Sequence, residues 1–321
     1  MHVTEHLNKR TKPLVSLEIT PPEKGHSIQG IYDTLDLLSP YAPSFVNVTY
    51  HQQSIVYEEQ PDGAIRKVPT RKKPGTVGIC AAIANKYRIE TVPHLICGGF
   101  GRYETEDALI DLQYLGFANL FVIRGDPPPG HSEYRPEPDG YRYASELVRQ
   151  IAALNRGEYL EKLDDAIPTN FCVGVGGYPE KHYEAPNLAE DIKNLRHKVD
   201  QGASYIISQM VFSAAAFGTF VTMARDAGIT VPIIPGVKVI TSERQLTAIP
   251  RDFHVNLPDE LVSLIRDAKD HIQARAAGVG FAVKLCLDLL EQHVPCLHFY
   301  TMGRGGSVAE VLGALKGKAL I

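Results

Sequence analysis

At 321 residues the chain is long enough to bury one large core, and barrels of alternating strands and helices reach this size as a single domain. Its 33 basic and 37 acidic side chains leave a net charge of -4, which excludes a general electrostatic pull toward nucleic acid or an anionic membrane and favours a small-molecule partner. Five cysteines, Cys80, Cys97, Cys172, Cys286 and Cys296, have no C-x-x-C spacing, which argues against a disulfide framework or zinc ribbon and for a reducing, cytoplasmic setting.

The opening MHVTEHLNKRTKP has no signal-peptide core, and no run approaches the ~18 apolar residues of a membrane span, so the protein is expected to be soluble. The first strand-like run is LVSLEIT from Leu14. Its alternation places Val15, Leu17 and Ile19 on one face and Ser16, Glu18 and Thr20 on the other. SFVNVTY from Ser44 repeats the pattern, with Asn47 and Thr49 opposite Val46 and Val48. The polar stretch HQQSIVYEEQPDGAIRKVPTRKKPG, from His51, carries Arg66, Lys67, Arg71, Lys72 and Lys73; it reads as a solvated loop, with a phosphate-guiding lid as the sharper alternative.

TVPHLIC from Thr91 is the third strand and carries His94; the helical pattern ETEDALIDLQYLG follows it. In NLFVIRG, from Asn119, an apolar strand ends in Arg124, Gly125 and Asp126. Prolines and a glycine then forbid regular continuation. The loop DPPPGHSEYRPEPDGYRY reads as a shaped wall, and YASELVRQIAALNRG as the next helix. FCVGVGGY from Phe171 precedes the helix NLAEDIKNLRHKVDQG. YIISQMVF from Tyr205 carries Gln209, TVPIIPGV starts at Thr230, and CLHFYT from Cys296 carries Tyr300. Eight strands alternating with helices predict an α/β fold, a single-domain (β/α)8 TIM barrel over 1–321 with its site at the carboxyl ends of the strands; an open doubly wound sheet is the rival.

In such a barrel the apolar strand faces meet the helices and the polar faces point inward. Glu18 then sits desolvated near the mouth, where burial raises a carboxyl pKa and suits it to hold a proton. His94, Gln209 and Tyr300 each have a plain reading as hydrogen-bonded core residues. Six polar groups from six strand ends at one mouth are what a site requires. Three chemistries compete. Metal-assisted hydrolysis by His94, His182 and His298 lacks any ligand spacing, so no metal is expected. Glycoside cleavage is weakened by the absence of Trp. A bound organic redox cofactor served by one acid and several orienting groups fits best, and with no G-x-G-x-x-G after a strand it must lie on the barrel itself.

The stretches LEITPP at Leu17, FVNVTY at Phe45, PHLIC at Pro93, IRGDPPPG at Ile123, YAS at Tyr143, YPEKH at Tyr178, KVDQGA at Lys198, ISQMVF at Ile207, IIPGV at Ile233 and HFYTMGR at His298 together resemble the methylenetetrahydrofolate reductase family along nearly the whole chain. The resemblance implies an FAD at the carboxyl face that passes hydride from NADH or NADPH to 5,10-methylenetetrahydrofolate in a ping-pong cycle. It assigns Glu18 as the general acid that helps open the five-membered ring, and Asp126 and Gln209 as further catalytic groups. Flavin contacts are implied for Thr49, Tyr50, His94, Arg124, Gly125, Asp126, Tyr143, Ala144, Tyr178, His182, Ala185, Asp191, Asn194 and Lys198, the last toward the pyrophosphate. Folate contacts are implied for Glu18, Asp126, Gln209, Gln245, Tyr300 and Arg304. The prolines after Asp126 are expected to set the flavin-site edge before ligand arrives. The chain departs from the family pattern at His51, Gln52, His197, Ile249 and in MGR, which touches folate affinity more than the reaction. A homo-oligomer is implied, and no S-adenosylmethionine feedback is expected. The competing expectation is a silent member, or one fed electrons by a protein partner.

Overall fold

The computed structural model describes residues 1–127 and 133–321. Among them run ten strands: β1 Leu14–Ile19, β2 Phe45–Val48, β3 Ser54–Glu59, β4 Ile65–Thr70, β5 Glu90–Ile96, β6 Asn119–Ile123, β7 Cys172–Gly177, β8 Tyr205–Val211, β9 Ile233–Val237 and β10 Cys296–Tyr300. Eight close a barrel in the order β1, β10, β9, β8, β7, β6, β5, β2, and every neighbouring pair is parallel. Helices alternate with these strands on the outside, which makes the fold a TIM barrel. Closure of β1 on both β2 and β10 removes the open-sheet rival.

Alternation along each strand builds two cores. The outward residues Val15, Leu17, Ile19, Val46 and Val48 pack with Ile31, Leu35 and Leu38 of helix Gln29–Leu38 in a continuous cluster between sheet and helices. Inside the barrel Phe45, Val92, Phe121, Cys172, Tyr205, Ile207, Ile234 and Cys296 form a second cluster. Val3 and Leu7 of the short helix Val3–Lys9 join that inner cluster, and the Val3 amide donates to Asn119 Oδ1 at 2.7 Å. The amino-terminal helix therefore adds two fully buried side chains to the inner core, each contributing about 1.5–3 kcal/mol. Two inward glycines make room for rings: a Cβ on Gly174 would lie 2.3 Å from the Tyr205 ring, and one on Gly236 would lie 2.4 Å from the Tyr300 ring.

The stretch from His51, expected as a loop, contains an antiparallel hairpin pairing Ser54 with Thr70 through to Glu59 with Ile65. Val56 opposite Val68 and Glu58 opposite Arg66 supply favourable cross-strand pairs, and Gly63, at φ +81°, turns the chain. Tyr57 and Ile65 are exposed, so the segment is solvated yet ordered as strand. The five cysteines are buried free thiols. Among the described residues no helix is long and apolar enough to cross a membrane, and no group of three or more His, Cys, Asp or Glu side chains is placed to hold a metal.

Candidate active site

Inner polar residues begin where the apolar inner core ends. Ser16 hydrogen-bonds His298 Nδ1 at 2.9 Å, and Asn47 Nδ2 donates to His94 Nε2 at 3.1 Å, all four side chains being buried. One residue pair higher, Glu18 lies in register between Asn47 on β2 and Tyr300 on β10. Its Oε2 is 3.8 Å from His94 Nε2, and 16 % of its side chain is exposed. Glu18 thus meets solvent or substrate through an opening rather than at a surface. That opening is a cavity of ≈ 480 Å³ lined by Glu18, Thr49, Tyr50, His94, Asp126, Tyr178, His182, Gln209 and Tyr300, with others.

A second cleft of ≈ 710 Å³ is lined by Arg124, Tyr143, Ala144, Tyr178, His182, Ala185, Asp191, Asn194, His197 and Lys198, among others. The two share Ile123, Gly176, Tyr178 and His182, so they adjoin across the ends of β6 and β7. Gly125 divides them. Its φ of +86° turns the chain so that Arg124 faces the larger cleft and Asp126 the smaller, and a Cβ there would press on Ile96 at 3.3 Å. The Arg124 guanidinium is held by Glu184 Oε2 at 2.6 Å and lies over the Tyr134 ring. Pro128, Pro129 and Gly130, expected to stiffen this edge, lie outside the described residues.

Burial sets the protonation states. Desolvation pushes the Glu18 carboxyl up to about 8, with Lys238 pulling the other way, so Glu18 holds a proton at neutral pH. Burial pushes His94 and His298 down to about 3 and keeps both neutral. In the larger cleft burial lowers Lys198 to about 8, opposed by Asp191; its Nζ donates to Gly176 O at 2.6 Å. Asp191 accepts the His182 amide at 2.8 Å. His182, lowered to about 4 by burial and by Arg124, accepts the Glu184 amide on Nδ1.

The expected residues divide into those that line the clefts, Gly125 between the two, and Gln245 and Arg304 away from both. Most line one or both clefts. Gln209 lines the smaller one with its Oε1 accepting the Met210 amide at 2.9 Å, and Tyr300 does so with its hydroxyl on Ser208 O at 2.8 Å. Gln245 and Arg304 do not line either cleft: Gln245 Oε1 accepts the Thr241 amide at 2.7 Å in the turn before helix Glu243–Phe253, and Arg304 is exposed beyond β10. Among the departures, His51 Nε2 bonds Thr49 Oγ1 at 3.1 Å, and the Gln52 side chain packs over Gly98 and Gly99. His197 lines the larger cleft, whereas Ile249 is buried in a core with Met210 and Leu261. Sequence reading missed Tyr183 and His254, whose rings stack 4.8 Å apart on the smaller cavity, and Lys238; a charge directly after the apolar run IIPGV was the available signal for the last.

The residues present fit a flavin dinucleotide. Two joined clefts in the size range of cofactor sites, a cleft wall of Lys198, Asn194, His197 and Arg124 suited to phosphate oxygens, and an unbranched floor at Gly176 leave the right chemistry for it. Tyr50, on the smaller cavity, has a buried hydroxyl with no partner among the described residues.

A closed parallel barrel with a protonated carboxyl and a cation-lined cleft at its carboxyl mouth belongs to the TIM-barrel class of site-bearing proteins. The model of the family described as methylenetetrahydrofolate reductase matches residues 2–316, and the chain belongs to that family. It is 29% identical over 312 residues to methylenetetrahydrofolate reductase 1 of Schizosaccharomyces pombe, covering 97% of this chain and 47% of that protein. Against 5,10-methylenetetrahydrofolate reductase of Escherichia coli it is 28% identical over 291 residues, covering 90% and 86%. The chain spans about half the length of the yeast and plant relatives it matches. The fold is similar to that of an uncharacterized protein from Clostridium thermocellum that binds two copies of 5-methyl-5,6,7,8-tetrahydrofolic acid, with a TM-score of 0.58, 14% identity and 99% of each chain covered.

Proposed function

We propose that this chain, as one FAD-binding barrel over 1–321, reduces 5,10-methylenetetrahydrofolate to 5-methyltetrahydrofolate with NADH or NADPH as the electron source. The observation that carries the reading is Glu18, a carboxylic acid raised to about 8 by burial yet open to a cavity large enough for a planar substrate. FAD, when bound, supplies hydride carriage between nicotinamide and folate. Glu18 gives its proton to a ring nitrogen of the folate, which opens the five-membered ring to an iminium that accepts hydride, and is left as a carboxylate. His94, neutral at 3.8 Å, offers that carboxylate no competing charge. Lys198, with Asn194 and His197 beside it, is suited to the cofactor's pyrophosphate. Asp126 sets a negative group at the cavity rim, and Gln209 presents its amide to the same space.

Purified protein should be yellow and should bleach anaerobically with NADH or NADPH. Glu18→Gln should leave that reduction intact and abolish turnover with methylenetetrahydrofolate. Yellow protein that neither nicotinamide bleaches would favour the second reading, a silent member or one supplied by a protein donor. Turnover surviving in Glu18→Gln would remove Glu18 from the acid role. A homo-oligomer follows from the same resemblance and is read by light scattering.

A further inference from the structure

A lysine is costly to bury unless its charge is compensated or used. Lys238 is the first residue after β9, and only 8 % of it is exposed. Its Nζ donates to the main-chain oxygen of Tyr300 at 3.3 Å. Sheet register places that contact beside Glu18: Val237 pairs with Phe299 across β9 and β10, and Tyr300, the next residue, pairs with Glu18 across β10 and β1. The ammonium therefore rests on the strand residue that is Glu18's own neighbour, at the carboxyl end of the barrel.

We propose that Lys238 is a positioning residue that sets the proton affinity of Glu18, its ammonium held on the Tyr300 carbonyl so as to stabilise the Glu18 carboxylate. The inference rests on the acid role read for Glu18 above. No bond of Lys238 changes: the proton leaves a Glu18 oxygen for the substrate nitrogen, and Lys238 keeps its three protons.

The groups around Glu18 leave Lys238 as the influence. On β5 and β10, His94 and His298 are neutral by burial, and Tyr300 keeps its phenolic proton. Tyr50 and His51 after β2, Asp126 after β6, and Tyr178, Lys181 and His182 after β7 line the same cavity, as do the exposed Asp252 and His254. Lys238, held against the strand neighbour of Glu18, lowers the Glu18 carboxyl against desolvation, and Glu18 in turn holds up the Lys238 ammonium, which burial pushes down to about 8. A carboxyl buried without such a cation is too weak an acid to give up its proton near neutrality.

The test titrates Glu18 directly. The infrared carbonyl band of its protonated carboxyl, assigned by its loss in Glu18→Gln, is followed with pH in the wild type, Lys238→Met and Lys238→Arg. In Lys238→Met the midpoint should rise by about one unit, a tenfold gain in proton affinity, while Lys238→Arg stays near the wild type. The alkaline limb of flavin reoxidation by methylenetetrahydrofolate should move with it. By reciprocity, carbon-13 lysine spectra of the isosteric Glu18→Gln should show Lys238 losing its proton at lower pH than in the wild type. An unmoved band in Lys238→Met, an equal shift in Lys238→Arg, or an unmoved Lys238 in Glu18→Gln overturns the inference. A band that moves in a protein with no folate turnover would sink the proposed function and leave the hold of Lys238 on Glu18 standing.

Discussion

Glu18 and Lys198 are ionisable groups of opposite sign, each shifted by burial toward its uncharged form, and each shift has a measurable consequence. An acid raised to about 8 is protonated below that pH and ionised above it. Reoxidation of reduced flavin by methylenetetrahydrofolate should therefore be level through neutrality and fall as pH rises through about 8, in stopped-flow traces of the second half-reaction alone. Flavin reduction by the nicotinamide should not share that limb. For Lys198, buried with its Nζ on Gly176 O, replacement by Met should weaken FAD binding to the apoprotein by roughly 10–100-fold, the loss of one charged hydrogen bond. Fluorescence titration measures it. Unchanged affinity would place the pyrophosphate away from Lys198.

At the scale of elements, the helix Val3–Lys9 is seven residues long and too short to persist alone, so its order comes from Val3 and Leu7 in the inner core. Leu7→Ala should cost about 2–5 kcal/mol, read from the urea midpoint. Leu37→Ala, at a position 47% exposed on helix Gln29–Leu38, should stay within about 0.5 kcal/mol. Strand β7 supplies a second case. Gly174 admits the Tyr205 ring, and Gly174→Ala should overpack the barrel interior by about 1–3 kcal/mol. Equal stabilities for Leu7→Ala and Leu37→Ala would mean that the amino-terminal helix does not belong to the core.

For the whole molecule, buried titratable groups squeeze stability from both sides of neutrality. His94 and His298, neutral when folded, would take up protons once unfolded below about 6.5, so stability is present above that pH and is lost as pH falls from about 6.5 toward about 3. Glu18 acts in the other direction. Its folded pKa of about 8 stands above the ordinary 4.5, so its contribution is full below 4.5 and lost as pH rises through about 8. Urea midpoints should peak between these limits, and Glu18→Gln should flatten the alkaline decline while leaving the acid one. An unchanged alkaline slope in that variant would show that Glu18 is not buried as described.

Local alternation is a property of neighbouring residues, and it was legible. LVSLEIT already separates Leu17, bound for the helices, from Glu18, bound for the interior, because successive strand side chains point to opposite faces whatever the rest of the chain does. The eight strand runs and their faces were open to the sequence for that reason, whereas the family was carried by the resemblance of short stretches such as LEITPP and IRGDPPPG. The hairpin from Ser54 to Thr70 was not, since its few apolar positions are diluted by charges and its pairing depends on the turn at Gly63. Nor did the sequence reveal that Gln245 spends its oxygen on the Thr241 amide, that Tyr178 and His182 serve two clefts, or that Lys238 reaches Tyr300. Those facts depend on barrel closure, which brings residues 18, 94, 238 and 300 to one mouth across more than two hundred positions of chain. Residue type and face are decided by covalent neighbours; proximity, burial and therefore acidity are decided only once the cylinder shuts.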